Sequence, residues 1–246
     1  MTGKNKKSQA PLGKDKGKQA TLFKYLLHAC LGLSALIGAT AQASLSSLAP
    51  LTNQAIAKIA ERYGKSAEQQ MLAWQKLIAN AGNKSEAENV GLVNEFFNRV
   101  RFVSDQENWG EKDFWATPLE MLATNGGDCE DYSIAKYFTL KTMGIPVERL
   151  RITHVMTREQ NRSHIVLAYY PIAEHSSTRA EPLVLDNLNP IITPLSQRSD
   201  LLPVYSFNSL GLWIQKEQGQ IKTASPHHIK PWSTLIAKMQ QQGLYL

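Results

Sequence analysis

Residues 126–133 read Gly-Gly-Asp-Cys-Glu-Asp-Tyr-Ser, so Cys129 stands among three carboxylates, Asp128, Glu130 and Asp131. The thiolate is the reactive form of cysteine, and negative charge nearby holds the proton on sulfur. A helix start acts the other way, because its free N–H groups carry partial positive charge. Asp128 can serve as N-cap with Asp131 three residues on, and Ile134, Ala135, Phe138 and Met143 lead to Gly144 with Pro146 beyond. Cys129 therefore opens a predicted helix. Thiol chemistry also needs a base and a group that orients the base. His164 lies 164 − 129 = 35 residues downstream, and Asp186 a further 186 − 164 = 22. On spacing alone, His164 reads equally as an edge-strand histidine and Asp186 as a turn residue before Asn187 and Pro190. Glu130 and Asp131 read equally as acids favoured by the helix dipole.

The flanking pattern supplies elements that would bring these residues together. Leu150–Met156, His164–Tyr170 and Pro182–Leu188 read as three strands, joined by a polar turn and by a longer loop that includes Ala173–Glu181. Their close succession predicts an antiparallel meander. His164 would open one strand and Asp186 close the next, with the Cys129 helix packed across the same end of the sheet. Asp200, in a polar turn past the third strand, is the poorer candidate for the orienting acid.

Upstream, Ile56, Ile59 and Tyr63, then Met71, Trp74 and Ile78, then Val90, Val93, Phe97 and Val100 recur at helical spacing. They predict helices over 52–100 with these residues in the core. Residues 101–125 read as irregular and aromatic, and Trp109 or Trp115 could cover a site there or simply pack. After 195, Tyr205–Asn208 and Leu212–Gln215 read as strands and Pro231–Gln242 as a terminal helix. The fold class is α+β.

The net charge of +6 is concentrated at the N-terminus, where seven lysines and one acid, Asp15, precede Ser44. The remainder has 27 − 7 = 20 basic and 21 − 1 = 20 acidic residues, which removes the charge argument for nucleic acid as a partner. A Lys-rich stretch, a short apolar run from Leu26 to Ala39 and Ala41-Gln42-Ala43 follow the order of a signal peptide. Residues 1–43 are thus expected to direct export of 44–246 to the periplasm, with retention as an inner-membrane anchor the alternative. Export would remove Cys30 and leave Cys129 as the one thiol, so no internal disulfide can form.

Trp115-Ala116-Thr117-Pro118-Leu119-Glu120, Gly126-Gly127-Asp128-Cys129-Glu130-Asp131-Tyr132, Ser163-His164-Ile165-Val166-Leu167 and Leu185-Asp186-Asn187 resemble the bacterial transglutaminase-like cysteine proteinases. The resemblance spans roughly residues 50 to 215 and is closest to periplasmic adhesin proteases of the LapG type. It implies a papain-like, transglutaminase-type core, with Cys129 as nucleophile, His164 as general base and acid, and Asp186 as its orienting partner. It also implies calcium dependence, with Asp128, Glu130 and Asp131 as metal ligands, a donor set that suits a hard cation. The implied substrate is a large repeat-containing surface adhesin. The implied regulator is the periplasmic domain of an inner-membrane cyclic-di-GMP receptor, with no nucleotide binding by this chain itself. Transglutaminase or acyltransferase chemistry on the same triad, and a non-catalytic calcium-responsive binding module, are the competing readings.

Overall fold

The computed structural model describes residues 52–172, 181–216 and 219–244. The segment read as a signal peptide lies outside them, as does 173–180 of the loop before Asp186. No helix among the described residues is long and apolar enough to cross a membrane.

Three helices open the fold, as the apolar periodicity predicts: α1 (Asn53–Tyr63), α2 (Lys65–Ala79) and α3 (Glu86–Asn98). Thr52 caps α1 by accepting from the Ala55 N–H at 3.1 Å. Ser85 and Glu88 form a reciprocal capping box on α3, each satisfying one otherwise orphan donor. Ile56, Met71, Trp74, Val90, Val93, Phe97 and Val100 are buried. Trp74 Nε1 also donates to Thr139 Oγ1 at 2.9 Å, which ties the N-terminal helices to the central one.

The next segment is more ordered than expected. Between 101 and 125 lie strand β1 (Arg101–Phe102), a single turn α4 (Asp105–Asn108) and helix α5 (Pro118–Thr124). Thr117-Pro118-Leu119-Glu120 starts α5 with both halves of a capping box and proline at its first turn. The aromatic residues nearby masked that signal. β2 (Gly126–Gly127) pairs in parallel with β1 and delivers the chain to helix α6 (Cys129–Thr142), which ends before Gly144 at φ 94.

Helix α6 is buried almost all round, the pattern of a helix enclosed by other layers. α3 and α5 cover it on one side and the main sheet lies on the other. That sheet has seven antiparallel strands: β3 (Leu150–Thr157), β4 (Ser163–Tyr169), β5 (Leu183–Leu185), β6 (Thr193–Pro194), β7 (Leu201–Asn208), β8 (Gly211–Lys216) and β9 (Gly219–Ala224), in spatial order β6-β5-β4-β3-β7-β8-β9. The expected β3-β4-β5 meander is present, and Val155 pairs with His164.

Two differences from the sequence reading have physical causes. β7 begins at Leu201 instead of Tyr205 because Pro203, which has no N–H to donate, is accommodated where the pairing with β3 shifts register between His154 and Val155. β9, Gly-Gln-Ile-Lys-Thr-Ala, shows no clear apolar alternation, since it is an edge strand paired on one side only.

Helix α7 (Lys230–Gln241) closes the core with Trp232, Leu235 and Met239. Trp232 stacks on Phe138 of α6, with ring centroids 5.6 Å apart, and meets Phe207 of β7 edge-on at 5.3 Å. One face of the sheet (Leu150, Ile152, Ile165, Leu167, Leu185, Phe207) packs into the helical core. Val155, Val166, Val184 and Leu201 form a smaller cluster of their own.

Candidate active site

The site is assembled around the start of α6. Gly127 precedes it because a Cβ there would sit 2.8 Å from Asp131 Oδ2 and 2.9 Å from Asp131 Cβ. That contact leaves room only for glycine. Asp131, fully buried, accepts the Asp128 N–H on Oδ2 at 3.3 Å and the Ala116 N–H on Oδ1 at 2.7 Å. Its carboxylate therefore ties the Trp115-Ala116-Thr117 segment to the first turn of α6. Trp115 is buried and stacks on Phe207 at 5.8 Å, so of the two tryptophans considered for a covering role it is a packing residue. Trp109 stacks on Phe114 at 4.5 Å, with its buried Nε1 lacking a partner among the described residues.

Cys129 is half-buried, and its thiol donates to Glu130 Oε2 at 3.1 Å. Burial, then Glu130, then Asp128 push the thiol far above its ordinary pKa, while the main chain of Ile165 on β4 opposes them through a hydrogen bond to the sulfur. Ser133, one turn along α6, donates to the Ile165 carbonyl at 3.1 Å. The cysteine helix is thus docked on β4 at the residue that follows His164.

His164 and Asp186 meet as the meander predicts. His164 Nε2 lies 2.8 Å from Asp186 Oδ1, and both residues are buried. β5 stops at Leu185, shorter than expected, and Asp186 turns the chain by accepting the Leu188 N–H at 2.9 Å. Asp186 is therefore both a turn residue and a histidine partner. Burial raises its pKa, but the bonds from His164, the Leu188 N–H and Arg198 outweigh that and hold it at about 2. An ionised carboxylate can only accept, so the shared proton belongs to Nε2 and Nδ1 is left free of it.

Arg198 was not anticipated. Its Nη2 donates to Asp186 Oδ2 at 2.8 Å and to Asp200 Oδ2 at 2.7 Å, and its Nε to Asp200 Oδ1 at 2.9 Å. Asp200, the poorer candidate for the triad acid, binds this arginine instead. Residues 12 and 14 positions past Asp186 carry no spacing rule that would have linked them to it.

The acids around the thiol are also more numerous than the three carboxylates of 128–131. Asp128, Glu130 and Asp131 are joined by Asp105 at the start of α4 and by Asp113 in the loop after it. Three overlapping sets, Asp128-Cys129-Glu130, Asp105-Asp113-Glu130 and Asp105-Asp128-Asp131, each bring their ligand atoms within 4.8 Å of one another. Burial first, and neighbouring carboxylates next, push Asp105 up to about 6 and Asp128 up to about 8, and raise Glu130 and Asp131 as well. Asp105 Oδ2 accepts the Phe114 N–H at 2.6 Å. Asp105 Oδ1 and Asp128 Oδ1 are buried without a donor among the described residues. A concentrated set of carboxylates with buried, unengaged oxygens is the donor set of a hard divalent cation, which takes 6–8 oxygens in the case of calcium.

An α+β fold in which a cysteine opens a buried helix against an antiparallel sheet, beside a His-Asp pair, is the layout of a papain-like or transglutaminase-like thiol enzyme. A family model described as bacterial transglutaminase-like cysteine proteinase BTLCP matches residues 53–220, and the chain belongs to that family. Among solved structures it is similar to Legionella pneumophila LapG, at 36% identity and TM-score 0.65, covering 77% of this chain and 96% of that one. An EGTA-treated form of the same protein gives 37% identity and TM-score 0.65 over 78% and 100% of the two chains. A calcium-bound form gives 36% and 0.63 over 77% and 99%. No curated protein sequence matches significantly.

Proposed function

We propose that this protein is a calcium-dependent periplasmic cysteine endopeptidase that cleaves the N-terminal region of a large surface adhesin, releasing it and promoting biofilm dispersal. The observation that carries the chemistry is the docking of Cys129, at the start of α6, on the strand that begins with His164, whose Nε2 is held by Asp186. His164 Nδ1 takes the Cys129 proton, and the thiolate attacks the scissile carbonyl carbon. Main-chain N–H groups at the helix start stabilise the oxyanion. His164 returns the proton to the leaving amine. Water then attacks the thioester, giving its proton to His164, and the thiol is regenerated.

Asp128, Glu130, Asp105 and Asp113 would hold calcium, with Asp131 completing the cluster while anchoring the loop. Bound there, the ion supplies positive charge beside a thiol that the acids otherwise keep protonated. The adhesin, the cyclic-di-GMP receptor as sequestering partner and the periplasmic location are supported by the family resemblance and by the export signal read at 1–43.

The test incubates the purified protein with N-terminal adhesin fragments, with calcium or with EGTA, and identifies products by mass spectrometry. Two peptides in calcium, none in EGTA and none from Cys129→Ala are expected. A crosslink or amine adduct would establish acyl transfer instead, and fragment binding without cleavage, equal in wild type and Cys129→Ala, would leave a binding module.

A further inference from the structure

Orienting a histidine with a carboxylate raises a second question of what orients the carboxylate. The terminal χ torsion of an aspartate is broad and roughly two-fold, so one hydrogen bond from an imidazole does not fix its plane. In this fold the two oxygens of Asp186 have separate duties. Oδ1 receives His164 Nε2 and the Leu188 N–H, and Oδ2 receives Arg198 Nη2. The arginine is fixed in turn, because Asp200 grips it through both Nε and Nη2. The side chain of Arg198 is 5% exposed and that of Asp186 1%, whereas Asp200 is 51% exposed. The string therefore runs from the surface inward, Asp200 to Arg198 to Asp186 to His164.

Stability is a weak reason for such an arrangement. Desolvating an ion pair to this depth returns about as much as it costs, and apolar residues of similar volume often serve as well. A planar, always-protonated fork does something apolar packing cannot do: it holds a carboxylate in one orientation and keeps it ionised.

We propose that Arg198 is the positioning residue of this site, holding the Asp186 carboxylate in the orientation that receives the His164 Nε2 proton, so that Nδ1 is the nitrogen presented as base. The inference rests on the thiol-protease reading above. Arg198 acts through Asp186 and does not touch substrate.

The test compares Arg198→Met, Arg198→Lys and Asp200→Asn by two readouts. The first needs no substrate: long-range 1H–15N spectra of histidine-labelled protein in a Cys129→Ala background, with His164 assigned by His164→Gln. The parent gives a single Nε2–H tautomer with a downfield proton. Arg198→Met gives mixed tautomers and loses that proton, Arg198→Lys restores the Nε2–H form in part, and Asp200→Asn broadens it. The second readout is peptide hydrolysis in calcium. Arg198→Met lowers kcat by roughly 100-fold with KM within about twofold, and Arg198→Lys recovers about tenfold of that loss. Should Arg198→Met not fold, Asp200→Asn, which is at the surface and bonds neither Asp186 nor His164, gives a smaller kcat loss in the same direction. A pure Nε2–H tautomer retained in Arg198→Met, or in Asp200→Asn where Arg198→Met does not fold, overturns the proposal, as does a rise in KM at constant kcat. If the parent enzyme cleaves no peptide while the His164 spectrum still responds to Arg198, the protease reading fails and the positioning role stands.

Discussion

Asp128 and Asp131, one helical turn apart at the start of α6, use their carboxylates in opposite ways. Both Asp131 oxygens accept main-chain N–H groups, from Ala116 at 2.7 Å and from Asp128 at 3.3 Å. Asp128 Oδ1 is buried with no donor among the described residues. One acid is an anchor for the loop, and the other holds an oxygen in reserve for a cation.

The two should therefore separate on substitution. Asp131→Asn presents an NH2 group to one of two buried donors and should cost about 1–3 kcal/mol of stability in EGTA. Asp128→Asn replaces a carboxyl whose charged form burial and Glu130 already disfavour, and should leave stability in EGTA unchanged or raised. The rise in Tm on adding calcium should disappear in Asp128→Asn, where a wild-type site at 100 times its Kd gains about 2.7 kcal/mol. Thermal unfolding of both variants with EGTA and with calcium checks this. Equal losses in EGTA would contradict the division of roles.

The Asp186 carboxylate predicts an acid-sensitive contribution to stability. Its folded pKa, about 2, lies below the unfolded value near 3.9. A depressed acid stabilises the fold above the unfolded pKa, and that stabilisation is lost as pH falls toward the folded one. The window is thus from about pH 4 down to about pH 2, and the contribution is about 2–3 kcal/mol. Urea unfolding of wild type and Asp186→Asn should show a stability gap that is constant above pH 5 and narrows through that window. The same variant should lower kcat by roughly 10²–10⁴-fold at neutral pH by losing the His164 tautomer.

Lys136 predicts the opposite limb. It is fully buried on α6, its Nζ lies 5.9 Å from the Tyr132 ring centroid, and it has no hydrogen-bond partner among the described residues. Burial lowers its pKa to about 7, against the pull of the Asp186 charge. Between about 7 and the unfolded value near 10.4, the unfolded chain binds a proton that the folded chain does not, so stability rises with pH across that interval. Lys136→Met should abolish the rise. Its advantage over wild type should be largest, roughly 5 kcal/mol, below pH 7, and should shrink toward pH 10 in urea unfolding.

How much of this was legible in the sequence depended on the range of the interaction. Helices α1 to α3 and α6 could be read because their apolar spacing and caps are local signals, as at Ser85-Glu88 or Gly144. The His164-Asp186 pair could be placed because a meander aligns strand ends. Asp105, Asp113 and Arg198 could not, since each reaches the site from a loop or short turn whose path is set by tertiary packing. The capping box at Thr117-Glu120 was readable but lay within an aromatic stretch. Pro203 hid the first half of β7 because the irregularity that accommodates it, with Val204 left out of the pairing between Tyr205 and Pro203, is set by pairing with β3 and carries no local signal.

The terminal helix carries a last prediction, because it acts on the site from a distance and lies beyond the residues the family model matches. Lys238 Nζ on α7 donates to the Trp115 carbonyl at 2.6 Å and to Glu120 Oε2 at 3.0 Å. Gln242 accepts from Thr117 Oγ1 at 2.7 Å and donates to Glu120 Oε1 at 3.2 Å. These contacts clasp the segment that Asp131 holds from the other side through Ala116. Removing one member of a buried pair strands its partner, so Glu120→Ala and Lys238→Ala should each destabilise by about 3 kcal/mol. Because both remove the same contact, the double variant should lose less than the sum, with a coupling of about 1–3 kcal/mol. The distinctive outcome concerns calcium: loosening Trp115-Thr117 slackens the Asp131 anchor, so Lys238→Ala should weaken calcium affinity even though it also removes a positive charge that acts on Asp105. Calorimetric titration of calcium into wild type and Lys238→Ala decides it, and unchanged affinity would show that the clasp serves the core alone.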